Sequence, residues 1–164
     1  MPRPKIKIPL DDTDRIIEFI GILAILTLVV IPVFYYGDLP DKIPTHFSMD
    51  GTPNAYGSKV FLWVLPIVGS ALYLGLNVLC RFPHLFNYPW KITEENAERQ
   101  YRLAIRMLRV MNVCIVWFMA YMNNVSIQTA LGNQGGPNTF FILVLLALIF
   151  VPVIYYIIKM VKSK

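Results

Sequence analysis

Cysteine is nearly absent: Cys80 and Cys114 are the two in 164 residues, too few for a disulfide framework. Charge is scarce as well, at 15 % of residues where roughly 25 % is usual. Acidic residues number 10 against 15 basic ones, a formal net charge of +5, and histidines number only two. No repeat or low-complexity tract is visible. So apolar a chain is neither disordered nor a nucleic-acid-binding tail, and its composition argues against an ordinary cytosolic enzyme. The rest of the composition agrees: 56 % of residues are apolar and the mean hydropathy is +0.54.

Crossing ~30 Å of hydrocarbon takes about 20 apolar residues in a helix. Ile16–Tyr36 supplies one such run and Val60–Cys80 a second, with others near Val110–Leu131 and Thr139–Ile158. None carries a charge in its central part. A backbone in lipid must satisfy its own hydrogen bonds, so each run is expected to be helical. The fold class expected is an all-α integral membrane protein with four transmembrane helices. The first run is too long for a signal peptide and is followed by no small-residue cleavage site, so it is expected to stay as an anchor.

Basic residues set the orientation. All but two of the 15 lie in the N-terminal arm, in the segment between spans two and three, or in the tail. Only Lys42 and Lys59 lie in the first loop, and the third loop has none. Both termini are therefore expected in the cytoplasm, and the excess positive charge reports topology rather than a nucleic-acid partner. This divides the chain into a cytoplasmic arm (1–15), a four-helix membrane domain (16–159) with an outer loop (37–59) and a cytoplasmic segment (81–109), and a short tail (160–164). Tyr35, Tyr36, Trp63, Tyr88, Trp90, Tyr155 and Tyr156 fall near the expected interfaces. Pro32, Pro66 and Pro152 lie inside spans and are expected to kink them. Gly135-Gly136-Pro137 predicts a tight turn and an antiparallel pairing of spans three and four.

Within the cytoplasmic segment, Thr93 is a candidate N-cap and Glu94 and Glu95 suit the helix start that follows. That helix is expected to run unbroken into span three, extending it into the cytoplasm. Arg99, Arg102, Arg106 and Arg109 share one face, with Glu95–Arg99 and Glu98–Arg102 as i,i+4 pairs. Such a basic face enforces topology and meets lipid headgroups, including anionic ones, or holds a cytoplasmic protein. Asn112 and Asn123 continue the face upward and suit hydrogen bonds between helices. No ionisable residue stands at mid-membrane depth, which argues against a proton-coupled pump and a channel with a charged filter.

The outer loop, GDLPDKIPTHFSMDGTPNAYGSK, is long for a connection and points to function. Pro40 and Pro44 stiffen it, Asp50-Gly51 predicts a turn, and Gly57 allows a positive φ before the second helix. His46 stands among Asp38, Asp41 and Asp50. It braces the loop, contacts a ligand in a pH-dependent way, or ligates a metal with Asp50; the last has weak support because no second His or Cys is near. Ser48, His46 and Asp50 crowd too closely in sequence to argue for a hydrolytic triad. No cofactor is expected. Cys80 and Cys114 are expected to be reduced and to act as small apolar residues.

Leu39-Pro40, Ile43-Pro44, His46-Phe47, Gly51 and Gly57-Ser58-Lys59 together resemble the signature of a family of small bacterial membrane proteins of unknown function. The same domain forms the N-terminal part of the Sdp immunity proteins. Asn87-Tyr88-Pro89, Thr93–Asn96 and Arg99–Arg102 are similar to the family pattern too, and the resemblance covers roughly residues 16–130. It implies a protein of the bacterial inner membrane, related to proteins that protect against a secreted toxin and hold a transcriptional repressor at the membrane. The four expected spans depart from the six of those immunity proteins.

The function expected is therefore non-enzymatic binding of an extracellular peptide or toxin through the outer loop. His46, Phe47, Asp50, Tyr56 and Lys59 are the contacts, and Pro40, Pro44, Gly51 and Gly57 shape the loop. An alternative is an accessory subunit of a membrane complex or transporter, approached through Ala71 and Gly75 of span two. A membrane enzyme or metal protein using His46 and the loop aspartates is the third reading.

Overall fold

An aspartate pair opens the first helix ahead of the apolar run. In the computed structural model, which describes residues 3–163, the Asp11 carboxylate accepts from the Asp14 backbone N–H at 3.0 Å. The Asp14 carboxylate accepts from the Asp11 N–H at 3.2 Å, completing a capping box. Helix α1 accordingly spans Asp12–Tyr35, so the first turn lies within the stretch read as an arm. Lys164 of the basic tail lies outside the described residues, as do the first two residues of the arm.

The loop that follows is folded into a hairpin. Strand β1 (Lys42–Phe47) pairs antiparallel with β2 (Pro53–Ser58). The Asp50-Gly51 turn closes it: Gly51 has φ +86°, and the Asp50 carboxylate accepts from the Thr52 backbone N–H at 3.0 Å and its hydroxyl at 2.7 Å. These bonds hold the Asp50 carboxyl below its ordinary carboxylate range. The register shifts on either side of His46, as bulges permit where Pro44 and Pro53 remove donors.

A 3-10 turn (Lys59–Trp63) leads into α2 (Val64–Leu79). Pro66 is the third residue of α2, where its missing N–H would have had no helical partner, so it does not break the ladder. Gly57 is another departure: it has no positive φ, and its lack of a side chain instead provides room, since a Cβ there would lie 3.0 Å from Thr45 Cγ2 and 3.2 Å from the Phe61 ring.

After an irregular stretch, α3 runs from Glu94 to Ala130 without interruption. Its start is a capping box of Thr93 and Asn96, whose side chain accepts from the Thr93 N–H at 2.9 Å. Gly132, at φ +76°, ends it: the Gly132 N–H donates to Thr129 and the Asn133 N–H to Gln128, the double bond pattern of a Schellman cap. Helix α4 (Thr139–Val161) returns after the Gly135–Pro137 turn, capped by the Asn138 side chain.

Helices α1, α3 and α4, and α2 together with its leading 3-10 turn (Lys59–Leu79), are long and apolar enough to cross a membrane. Helix α3 is the hub, packing against α1, α2 and α4; α1 also touches α2, while α4 leans on α3 almost alone. The α1–α3 seam is built around Ala24, Leu28, Val116 and Ala120, all buried. Two amides pin α3 to the second helix and its leading turn: Asn112 Nδ2 donates to the Tyr73 carbonyl at 3.1 Å and Asn123 Nδ2 to the Leu62 carbonyl at 3.3 Å. In lipid such bonds are worth ~0.6–2 kcal/mol each. Gly21 lets the Tyr73 ring press against α1, where a Cβ would fall 2.7 Å from it.

Candidate binding site beneath the hairpin

The hairpin lies down on the end of α3. Ile43 is buried with Leu39, Leu62 and Ile127, and the Ser126 hydroxyl donates to the Pro44 carbonyl. Its tip meets the α3–α4 turn. Gly51 and Gly136 (φ +128°) face each other so closely that a Cβ on Gly136 would overlap the Gly51 carbonyl oxygen. A Cβ on Gly51 would in turn sit 2.7 Å from the Pro137 carbonyl oxygen, and the Thr139 hydroxyl donates to the Met49 carbonyl at 3.1 Å.

Under this roof lies a cavity of about 460 Å³. Strand β1 covers it, the start of α2 forms one side, α3 the floor, and Pro137 and Ile142 the other side. His46 and Phe47 line it, with Phe61, Leu65, Met122 and Asn123 below. No Asp, Glu, Lys or Arg contributes to the lining. Concave, mainly apolar spaces of ~300–1,000 Å³ with a few fixed polar groups are the usual form of ligand sites.

The expected loop contacts separate into two sets. His46 Nδ1 is 2.6 Å from Asn54 Oδ1, and Asn54 Nδ2 donates to Ser48 Oγ at 2.9 Å, so the histidine braces the bulged strands side chain to side chain. It and Phe47 reach the cavity; Asp50, Tyr56 and Lys59 do not line it. Asp50 is taken up by its own turn, and Tyr56 stands 62 % exposed on β2. Lys59 Nζ donates to the Leu39 carbonyl at 3.3 Å, pairs with Asp41 at 3.9 Å, and lies 5.2 Å from the Tyr36 ring centroid. Pro44 is buried against α3, whereas Pro40 is exposed. Among the described residues no group of three or more His, Cys, Asp or Glu is placed to hold a metal ion. Asn123, Ser126 and Pro137 belong to the site by geometry; the sequence marks Asn123 as a polar residue on one face of span three and Pro137 as part of a turn.

At the opposite end the arginine face is matched from within. Arg102 reaches Asp11 at 3.8 Å and Glu98 at 3.1 Å; Arg106 meets Asp11 and, at 3.0 Å, Asp14; Arg109 meets Asp14 and Glu18, each at 3.3 Å. Asp14 is 1 % exposed. The pairs ascend together on both helices, so α1 and α3 run parallel with a charge ladder between them. Of the four arginines only Arg99 remains exposed, and the Glu95–Arg99 pair does not form among the described residues.

The N-terminal arm is strapped across this end. Arg3 donates to the carbonyls of His84 and Phe86 and lies 5.4 Å from the Tyr88 ring centroid; the Tyr101 hydroxyl donates to the Pro4 carbonyl at 3.0 Å. Tyr88 and Trp90 pack with Ile8, Ile92 and Tyr101, and burial pushes the Tyr88 hydroxyl above its ordinary pKa. Gln100 Nε2 donates to the carbonyls of Met160 at 3.0 Å and Ser163 at 2.7 Å, capping α4 from α3.

A family profile described as a domain of unknown function (DUF1648) matches residues 22–69, from within α1 through the hairpin to the first turns of α2. An uncharacterized protein of Archaeoglobus fulgidus is 33 % identical over 89 residues, 49 % of this chain and 49 % of the relative. The match thus spans about half the length of that relative. No solved structure matches. Neither match links the chain to the Sdp immunity proteins, and the family profile ends short of the Asn87–Arg102 block.

Proposed function

We propose that the chain is a non-enzymatic, multi-pass binding protein of the bacterial inner membrane, immunity- or receptor-like. In this reading both termini and the N-terminal extension of α3 are cytoplasmic, and the hairpin faces outward to meet an extracellular peptide or toxin. The cavity under β1 supports it: a space of about 460 Å³ without a charged wall, roofed by an exposed hairpin, suits the apolar side chains of an amphipathic peptide. His46, Phe47 and Met49, the last 93 % exposed, contact the ligand from the rim, while Tyr56 offers further contact outside. Gly51, Pro44 and the α3–α4 turn hold the roof in shape. At the inner face Arg99, with Arg81 and Lys91, meets anionic headgroups, because the other three arginines of the stripe are engaged by α1.

A photo-crosslinking residue at Phe47 in native membranes, compared with one at Phe34 on the far side of α1, tests this. Capture of a secreted peptide at position 47 and not at 34, competed by the unlabelled peptide, supports the proposal. Products at both positions alike, or none across growth conditions, overturn it. Met49→Cys that resists a membrane-impermeant thiol reagent in whole cells would overturn the orientation.

The accessory-subunit reading draws on one observation. The outward face of α2 carries a shallow groove at Ala71 and Gly75, and a Cβ on Gly75 would meet nothing within 4 Å. Capture of an integral membrane protein from position 71 would favour it.

A further inference from the structure

On the flank of α4 away from the hairpin cavity lies a second cavity, of about 390 Å³, between α1, α3 and α4. Three rings shape it: Trp117 and Tyr121 of α3 and Phe141 of α4, the last two with centroids 4.5 Å apart. No Asp, Glu, Lys, Arg or His lines it. Because α4 makes little contact with α1, the cavity opens sideways between those helices, toward lipid when the helices span a bilayer.

Its polar side chains are not equivalent. The Thr27 hydroxyl donates to the Leu23 carbonyl at 2.8 Å, Cys114 Sγ to the Leu148 carbonyl at 3.2 Å, and the Tyr121 hydroxyl accepts from the Asn138 N–H at 3.3 Å. Asn124 lines the cavity too, yet among the described residues its amide has no hydrogen-bond partner. At 1.5 Å per residue, Asn124 lies about 9 Å below the end of α3 at Ala130, within the apolar part of the helix. An amide left unpaired at that depth is costly in free energy unless something other than the protein satisfies it.

We infer that this cavity is a binding site for an uncharged, membrane-dissolved molecule with a planar, carbonyl-bearing ring, of the quinone class. Each attribute follows from the lining. The missing charges disfavour an ionic headgroup. The aromatic walls favour a flat ring in offset or edge contact. Asn124 Nδ2 supplies a donor for a carbonyl, and the lateral opening admits a ligand already dissolved in the membrane. The site is independent of the hairpin reading, and no electron transfer is part of the inference.

The full chain in phosphatidylcholine nanodiscs, titrated with decylubiquinone, tests it. Quinones quench indole fluorescence on contact, and the difference between the parent chain and Trp117→Phe isolates the Trp117 signal. The expected result is quenching of Trp117 that saturates, with a half-saturation point raised at least fivefold in Asn124→Leu. Leu148→Phe fills the cavity from α4 and should reduce the saturable part, which keeps the test decisive if Asn124→Leu fails to fold. Quenching that rises linearly without saturation, or saturation unchanged in the folded variants, overturns the inference. The first would leave only random partition, and the second a site elsewhere.

Discussion

The glycine contact between the hairpin tip and the α3–α4 turn makes a demanding prediction. Gly136→Ala places a methyl group against the Gly51 carbonyl oxygen, a backbone atom that cannot swing aside as a side-chain end would. It also places an L-residue at φ +128°, a conformation that costs ~1–3 kcal/mol. Relief comes by separating the loops, which breaks the Thr139–Met49 hydrogen bond, worth about 0.5–1.5 kcal/mol. The lock should therefore weaken by roughly 1.5–4.5 kcal/mol, or roughly 10- to 2,000-fold in the equilibrium between docked and undocked tip. Amide hydrogen exchange of residues 47–53 in detergent or nanodiscs reads this directly, since the tip then opens without global unfolding. Gly135→Ala is the control: its φ is not positive and a Cβ there meets nothing within 4 Å, so exchange should stay close to the parent's. Gly51→Ala attacks the same contact from the other side, and the double variant should be little worse than either single one. Equal exchange in Gly136→Ala and Gly135→Ala would refute the reasoning, as would full additivity of the two lock variants.

Other consequences are quicker to test. Asp14→Asn leaves Arg106 and Arg109 facing a neutral amide in a buried setting, and should lower unfolding stability in detergent by ~2–4 kcal/mol, whereas Arg99→Ala should change it by less than about 0.5 kcal/mol; similar losses in both would dissolve the ladder's importance. The Asp50 carboxyl is held below its ordinary pKa by Thr52, so its contribution to the turn is complete above the unfolded carboxylate pKa and is lost as pH falls through the lowered one. Thr52 amide exchange, corrected for its intrinsic pH dependence, should thus show falling protection only in acid, and Asp50→Asn should remove that step. Tyr101→Phe deletes the hydroxyl that holds the Pro4 carbonyl, and trypsin should then cut after Lys5 and Lys7 roughly 2- to 10-fold faster, as expected for one lost hydrogen bond; unchanged cleavage would show that the other ties, Arg3 and the packing of Ile8 among them, secure the arm without it.

How far these features can be read from the chain varies with their range. Four apolar runs give four helices because hydrophobic length is a property of each segment alone, and α3's unbroken course follows from helix-forming residues on both sides of Arg109. The hairpin is hidden because KIPTHF and PNAYGS carry the prolines and the glycine that strands usually avoid, and bulges erase the alternation. Only Asp50-Gly51 announces it. The arginine stripe is visible as a face, but its partners require knowing that α1 lies beside α3. Asp11, Asp14 and Glu18 carry the complementary spacing, and the overlap with the capping signal masks it. The cavity under β1 is a meeting of four segments distant in sequence, and no local pattern encodes it.

Helix α4 rests on α3 with an open flank on each side, and its neighbouring residues Ile142 and Phe141 face different spaces, one toward the hairpin and one toward Trp117 and Tyr121. It is thus a party wall. Tilting it toward α2 shrinks the first chamber and enlarges the second, and tilting it toward α1 does the reverse. Were both chambers occupied, two guests competing for the position of one partition would oppose each other without touching, and thermodynamic linkage would make the antagonism equal in both directions. The glycine contact at one end and the Gln100 cap at the other tie down the two ends of that partition.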